Sequence, residues 1–457
     1  MKNKRQRKIC GIMLALLIIC ISLTPQFQSI VTFPQKVRFL EGVNQSYYFG
    51  FPVNVYLRSN RNGIVKLNGT ALSSQAARVN LGAPLDIEPL QRGAIEIEVL
   101  LFGVPIRKMM VDVIPPVKVI PGGHSIGVVL LSHGVIVVGL ASVGSGRAQT
   151  NPAQLAGLKI GDTILRVNGE RVESIGHLAE LVNQFGQLGK SLHVEYKRGS
   201  EFLTTTLKPV FCSETGRFRI GLYVRDGANG VGTLSFYEPE TGAYGALGHI
   251  ITDLETNQPL NVEEGSVVRA TISGIQPGMK GQPGEKIGIF TNNEDILGNI
   301  TKNTTYGLFG TLNKNLQNPF YPEPIPVALA SQVKTGPAEM LTVINENKIE
   351  KFQIKIERIF DHSIPTDKSF VIKIIDEKLL AATGGIIQGM SGSPIIQNGH
   401  LVGIVTHVFV NDPAKGYGIM AEWMLNELEI SPLAKAKGKF LRFFSIFEQE
   451  NLIINRI

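Results

Sequence analysis

The chain has 457 residues, 43% hydrophobic and 18% charged, a globular composition too long for a single core, so about three domains are expected. Its formal net charge is +7, but Lys2, Lys4, Arg5, Arg7 and Lys8 supply most of it, and no lysine stripe with interleaved aromatics follows, which excludes a nucleic-acid surface. Cys10 and Cys20 lie in an apolar run and leave Cys212 alone outside it, which excludes a disulfide in the remainder. The sequence has no His-Glu-x-x-His, paired Cys-x-x-Cys or calcium loop, so no metal or other cofactor is expected.

The five basic residues precede an apolar run from Ile9 to Leu23, the arrangement of an export signal or a membrane anchor over residues 1–29. The run is short for a full span of about 20 residues, and no Ala-x-Ala site follows directly, so both a cleaved signal and an uncleaved anchor fit. Residues 30–112 carry runs such as Ile95-Glu96-Ile97-Glu98-Val99, whose period of two predicts a small β-rich module.

Residues 113–210 carry two further patterns. Ser125-Ile126-Gly127-Val128 offers a glycine-containing loop, and Ala156-Gly157-Leu158-Lys159-Ile160-Gly161-Asp162 through Asn168-Gly169 predicts a turn into a strand that ends in a hairpin. A helix is expected from about Ile175 to Phe185 with Leu178, Leu181 and Val182 on its apolar face. Together these resemble a PDZ domain. The resemblance implies that the backbone N–H groups of Ser125, Ile126, Gly127 and Val128 receive a ligand's terminal carboxylate while the next strand adds the peptide to the sheet edge. Gly186-Gln187-Leu188-Gly189-Lys190-Ser191 has too few residues between its glycines for a phosphate loop and reads as a surface turn.

Residues 211–440 are short, glycine-punctuated, β-branched segments, which suggests a pair of β-barrels, with 441–457 as a C-terminal tail. The segment Gly274 to Gly284 is rich in turn formers and reads as a linker or a loop. Trp423 falls in an expected helix from Ala421 to Leu428.

The chemistry centres on Gly389-Met390-Ser391-Gly392-Ser393-Pro394. A serine hydroxyl is a weak nucleophile, so it must stand exposed on a tight turn where a histidine can take its proton. In a chymotrypsin-like arrangement the backbone N–H groups of Gly389 and Ser391 would form the oxyanion hole. A hairpin closed by Asn398-Gly399 is expected to follow. Of the eight histidines, His249 is favoured over His362 as the base because small residues surround it, whereas His400 falls in the hairpin turn and His407 in an apolar run. For the third member Asp376 stands at the end of the strand-like run Ser369 to Ile375, and Asp253, Asp361 and Asp412 remain alternatives by spacing.

Gly245-Ala246-Leu247-Gly248-His249-Ile250, Gly384 to Ile395, Thr406 to Pro413 and Gly416-Tyr417-Gly418-Ile419 resemble the SpoIVB peptidase family, and with the anchor and the PDZ-like module the likeness spans nearly the whole chain. The resemblance implies a mainly β, multidomain fold with a trypsin-like double β-barrel and a triad in the order His249, Asp376, Ser391. It also implies a membrane-tethered serine endopeptidase of endospore formation, exported across the forespore membrane to face the intermembrane space. Such an enzyme cleaves its own chain and a membrane-bound regulator, so that pro-sigma-K processing begins. The competing reading is a PDZ binding protein whose protease-like domain is an inert scaffold. An esterase is disfavoured, because Ser393-Pro394 replaces the second glycine of its nucleophile elbow.

Overall fold

The computed structural model describes residues 11–13, 15–16, 19–20, 22–24, 36–48, 53–145, 148–253, 259–260, 264–290, 295–360 and 365–428. Most of the basic flank and apolar run, Asp361 and His362, and the tail at 441–457 lie outside them. Among the described residues no helix is long and apolar enough to cross a membrane. The chain divides into two units, one reaching Val117 and the other beginning at Lys118.

The first unit is β-rich. One sheet orders the strands Lys36–Leu40, Val104–Ile114, Gly93–Leu101, Asn54–Ser59 and Ala77–Asn80, and a second sheet holds Gln45–Tyr47, Leu85–Pro89, Val65–Leu67 and Thr70–Ala71. Alternation drives this pairing, since residues two apart along a strand share a face. Ile95 and Ile97 are buried at 2% and 3% exposure, and they join Phe39, Val55, Leu67 and Val111 in one apolar core.

In the second unit two strands of sixteen residues decide the architecture. They are β1 (Ser125–Leu140) and β2 (Leu222–Tyr237), paired antiparallel from Ser125↔Thr233 to Leu140↔Leu222, with an irregularity between Leu131 and Ile136. The halves of β1 and β2 nearer Leu140 and Leu222 belong to the PDZ-like module. There β1 pairs with Thr163–Val167, which pairs with Leu192–Arg198 and through it with Glu201–Leu207. Helix α1 (Ile175–Gln187) is capped by the Ser174 side chain, which accepts from the His177 N–H, and it buries Leu178, Leu181 and Val182 in that module's core as its apolar spacing predicts. The opposite halves of β1 and β2 belong to the sheet in the region where the second barrel is expected.

There the segment Ser125-Ile126-Gly127-Val128 is no loop. It is the interior of β1, paired with Thr233 to Gly230 of β2 on one side and with Arg269 to Val267 on the other. Ile126 is fully buried, and a Cβ at Gly127 would lie 2.6 Å from Phe290 and 2.7 Å from Val268. A strand with a partner on both edges spends its N–H groups on the ladders, so the carboxylate-binding role expected of residues 125–128 does not hold.

The mainly β fold is as expected, and one closed barrel is present, ordered Gly336–Val343, Ile349–Ile359, Phe370–Ile374, Lys415–Met420, His400–Val408 and Pro394–Gln397. Among the described residues the second expected barrel is not a separate closed one. Its strands are part of a thirteen-stranded sheet that continues into the PDZ-like module, because β1 and β2 run through both.

Candidate active site

The turn Gly389-Met390-Ser391, where the nucleophile is expected, joins the barrel to the sheet. Gly389 and Gly392 take φ of +88° and +98°, a conformation glycine adopts without a Cβ penalty. At Gly392 a Cβ would also stand 1.9 Å from the Thr233 carbonyl oxygen. Thr233 of β2 holds the turn from below with two bonds. Its N–H donates to the Ser391 carbonyl at 3.0 Å, and its hydroxyl donates to the Gly389 carbonyl at 2.7 Å. The N–H groups of Gly389 and Ser391 themselves have no acceptor among the described residues, which is what an oxyanion hole requires. The hairpin after the turn forms as expected, with Asn398 and Gly399 at φ +51° and +76°.

His249 follows Gly248, whose Cβ would come within 2.9 Å of the Thr406 methyl group. The close approach brings the histidine segment against the strand carrying Thr406 and His407. The His249 and His407 rings lie 5.3 Å apart. His249 Nδ1 is 2.9 Å from the Ile250 carbonyl oxygen. A carbonyl only accepts, so Nδ1 carries the proton and Nε2 is left as the basic nitrogen. Burial holds the His249 imidazole below its ordinary pKa, opposed by the Ile250 bond and by the Asp367 charge. It is therefore neutral at pH 7, the form a general base needs.

Ser391 Oγ donates to the Thr406 carbonyl at 2.7 Å. The serine, Thr406, His407 and His249 thus form one cluster, with Asp367 acting on both imidazoles. Burial, followed by the charges of His249 and Lys368, pushes His407 down to about 4, and its buried Nδ1 has no partner among the described residues.

Asp376 is not brought to His249. It is the N-cap of α2 (Glu377–Thr383), where Oδ1 accepts from the Leu379 N–H at 3.0 Å and Oδ2 from the Gln353 N–H at 3.2 Å. A strand-ending aspartate before a helix finds these orphan donors first, so it corrects the expected triad assignment. Of its rivals, Asp253 pairs with Arg225, Asp412 lies near Lys415 on the surface, and Asp361 is outside the described residues. The acidic group that acts on His249 is Asp367, which spacing did not single out.

The Gly274 to Gly284 segment is an ordered brace, not a linker. Gly278 N–H donates to the Thr383 carbonyl, Gly281 N–H to Val410, and the Gly284 carbonyl accepts from Gln388 N–H next to the nucleophile turn. Trp423 lies in the expected helix, observed at Ala421–Leu425, and is buried.

In the PDZ-like module the open edge is the start of β2. Among the described residues, 222–225 pair with β1 on one side only, and α1 touches the same strand. Arg219-Ile220-Gly221-Leu222 leads into that edge. Gly221 takes φ +81°, its carbonyl accepts from the Ala141 and Asn151 N–H groups, and the Ile220 and Gly221 N–H groups have no acceptor among the described residues. This segment has the glycine loop expected of 125–128, and its Ile-Gly-Leu is the signal that sequence reading passed over. Arg225, at the same edge, pairs with the buried Asp253 four residues beyond His249.

Residues 216–425 match the family model of the SpoIVB peptidase S55, and residues 125–208 match that of the PDZ domain. The chain carries an S55 serine peptidase domain and a PDZ domain. The S55 match begins beyond the first half of β1, although that half pairs with β2 within the peptidase sheet, so the two domains interleave along the chain. No curated protein matches. Among solved structures, the PDZ domain of the SdrC-like protein from Listeria monocytogenes is 23% identical, covering 20% of this chain and 87% of its own, with TM-score 0.17. The Rv3671c protease from M. tuberculosis in its active form is 16% identical, covering 45% and 75%, with TM-score 0.25. Its inactive form is 17% identical, covering 44% and 84%, with TM-score 0.23.

Proposed function

We propose that this serine peptidase is an endopeptidase that uses Ser391 as nucleophile and His249 as general base. The observation that carries the reading is the turn at 389–391, which points both carbonyls at Thr233 and leaves two N–H groups for an oxyanion. In the reaction Ser391 Oγ leaves the Thr406 carbonyl and gives its proton to His249 Nε2 as it bonds the scissile carbon. The Gly389 and Ser391 N–H groups take the oxyanion. The imidazolium then protonates the leaving amine, and a water repeats the sequence to release the acyl group. The Ile250 carbonyl fixes the tautomer and Asp367 favours the imidazolium, roles that a buried aspartate holds in other serine peptidases.

A chain end would add to the sheet edge at residues 222–225, with its carboxylate on the Ile220 and Gly221 N–H groups. The further biology rests on the likeness to SpoIVB peptidases: tethering by the N-terminal segment, a position facing the space between the forespore membranes, cleavage of its own chain and cleavage of a membrane-bound regulator that starts pro-sigma-K processing. Full-length chain and its Ser391→Ala form, incubated with a fluorophosphonate probe and followed for self-cleavage, test the enzyme. Labelling and fragmentation in the first alone support it, and inert protein in both would favour the scaffold. Replacing the native chain by the Ser391→Ala form in sporulating cells tests the biology, and pro-sigma-K processing that continues unchanged would overturn it.

A further inference from the structure

Beneath the nucleophile turn lies a lysine that the mechanism above does not use. Lys286 sits on β3 (Glu285–Ile289) and is 4% exposed. Its ammonium donates to the Thr342 hydroxyl at 2.8 Å and reaches the Thr233 hydroxyl at 3.5 Å, and no carboxylate among the described residues pairs with it. Burying an ammonium without an anion is costly, so its place in the fold calls for a compensating role.

The surroundings point to one. The Lys286 N–H donates to the Gln388 carbonyl at 3.0 Å, and the lysine stem lies where a Cβ on Gly389 would stand 3.1 Å from it, so Lys286 packs directly under the first residue of the oxyanion hole. Its ammonium also contacts Thr233, the residue whose hydroxyl and N–H hold the carbonyls of Gly389 and Ser391 inward. The Lys286 N–H thus holds the carbonyl of the Gln388–Gly389 peptide, whose own N–H faces the developing negative charge, and the ammonium stands one hydroxyl away from the next carbonyl of the turn.

We propose that Lys286 is a positioning residue of the oxyanion hole: through Thr233 it holds the Gly389 carbonyl inward, and its buried positive charge favours the oxyanion in a setting where water does not screen it. This rests on the peptidase reading above. Burial alone pushes the ammonium down to about 7, with no charged side chain contributing. The groups facing it are the hydroxyls of Thr233 on β2 and Thr342 on the barrel strand Gly336–Val343, and the turn at 388–389. Turnover therefore falls as pH rises past this value, opposite in sense to the titration of His249.

The test compares the full-length chain with Lys286→Met, which keeps the length and removes the charge. Readouts are kcat and KM on a peptide substrate and the rate of fluorophosphonate labelling from pH 5.5 to 9, with the melting temperature alongside. The native chain is expected to lose activity above about pH 7. The variant is expected to melt no lower, to lose roughly 10- to 100-fold in kcat at unchanged KM, less than removal of an oxyanion donor itself, and to lack the alkaline fall. A folded variant with native kcat and native pH profile overturns the proposal. If Lys286→Met does not fold, Thr233→Val, which removes the hydroxyl between the ammonium and the Gly389 carbonyl, takes its place: native kcat in that variant overturns the proposal, and a loss of about 10-fold or more in kcat at unchanged KM supports it. A native chain that neither labels nor cleaves overturns the peptidase reading, and this inference with it.

Discussion

Ser391 Oγ donates to the Thr406 carbonyl at 2.7 Å, so the hydroxyl that would attack a substrate is parked on the strand that also carries His407. His249 meanwhile keeps Nε2 as an acceptor because Nδ1–H is bound to Ile250. Replacement of either residue is expected to remove turnover as a unit: Ser391→Ala and His249→Ala should each cost about 10⁴-fold or more in kcat, and the double variant little beyond either alone. Single-turnover cleavage by the three variants checks this. A His249→Ala form retaining a tenth of native activity would move the base elsewhere, with His407 the nearest imidazole.

Asp376 and Asp367 separate by the same measurements. Asp376 caps α2 with both carboxylate oxygens on backbone N–H groups, so Asp376→Ala should lower stability by about 0.5–2 kcal/mol, and Asp376→Asn, which can still cap, should change kcat by no more than about 2-fold. Asp367→Asn removes the negative charge that favours the His249 imidazolium and should lower kcat by about 10-fold with little loss of stability. Chemical denaturation and steady-state kinetics on the three variants decide it. A loss of several hundred-fold in Asp376→Asn would return that residue to the triad.

The contrast explains what was legible in the sequence. Local features came through: the tight turn around Ser391 because Gly389 and Gly392 take positive φ, the hairpins at Asn168-Gly169 and Asn398-Gly399, and the apolar face of α1 at Leu178, Leu181 and Val182. Each depends on neighbours a few residues apart. What stayed hidden depends on distant pairing. Ser125 to Val128 look like a loop until the chain returns at Gly230 to Thr233 and again at Val267 to Arg269 to pair both edges. Lys286 looks like an ordinary alternating strand residue until Thr233 and Thr342 close over it. Asp367 has no spacing that sets it apart from the other aspartates.

Buried titrating groups give stability a predictable pH dependence, and His124, held at about 4 by burial, and His249, held below its ordinary value, act in the same sense as His407. His407 is held at about 4 and Lys286 at about 7, each below its unfolded value, so in both cases the unfolded chain binds the extra proton. Stability should therefore rise with pH from about 4 to 6.5 through His407 and from about 7 to 10.5 through Lys286, by at most about 1.4 kcal/mol per pH unit for each proton. Lys286→Met should flatten the second rise and raise stability below pH 7, while lowering turnover. Denaturant midpoints measured from pH 4 to 10 check both slopes, and a native curve that is flat above pH 7 would mean that Lys286 titrates normally.

Gly127 and Gly221 test which glycine serves the peptide edge. A Cβ at Gly127 would strike Phe290 and Val268 in the peptidase sheet, so Gly127→Ala should destabilise that sheet by about 1–3 kcal/mol and leave peptide affinity of the remaining folded protein unchanged. A Cβ at Gly221 would stand 2.4 Å from the Ala141 carbonyl oxygen at a φ of +81°, which disturbs the turn presenting the Ile220 and Gly221 N–H groups. Gly221→Ala should therefore weaken capture of a peptide with a free C-terminal carboxylate by about 10-fold or more, and an amidated peptide should bind no better to the native chain than to the variant. Titration of a fluorescent peptide against native, Gly127→Ala and Gly221→Ala proteins reads the difference. Affinity lost only in Gly127→Ala, at unchanged stability, would restore residues 125–128 to the carboxylate loop and refute the edge at 222–225.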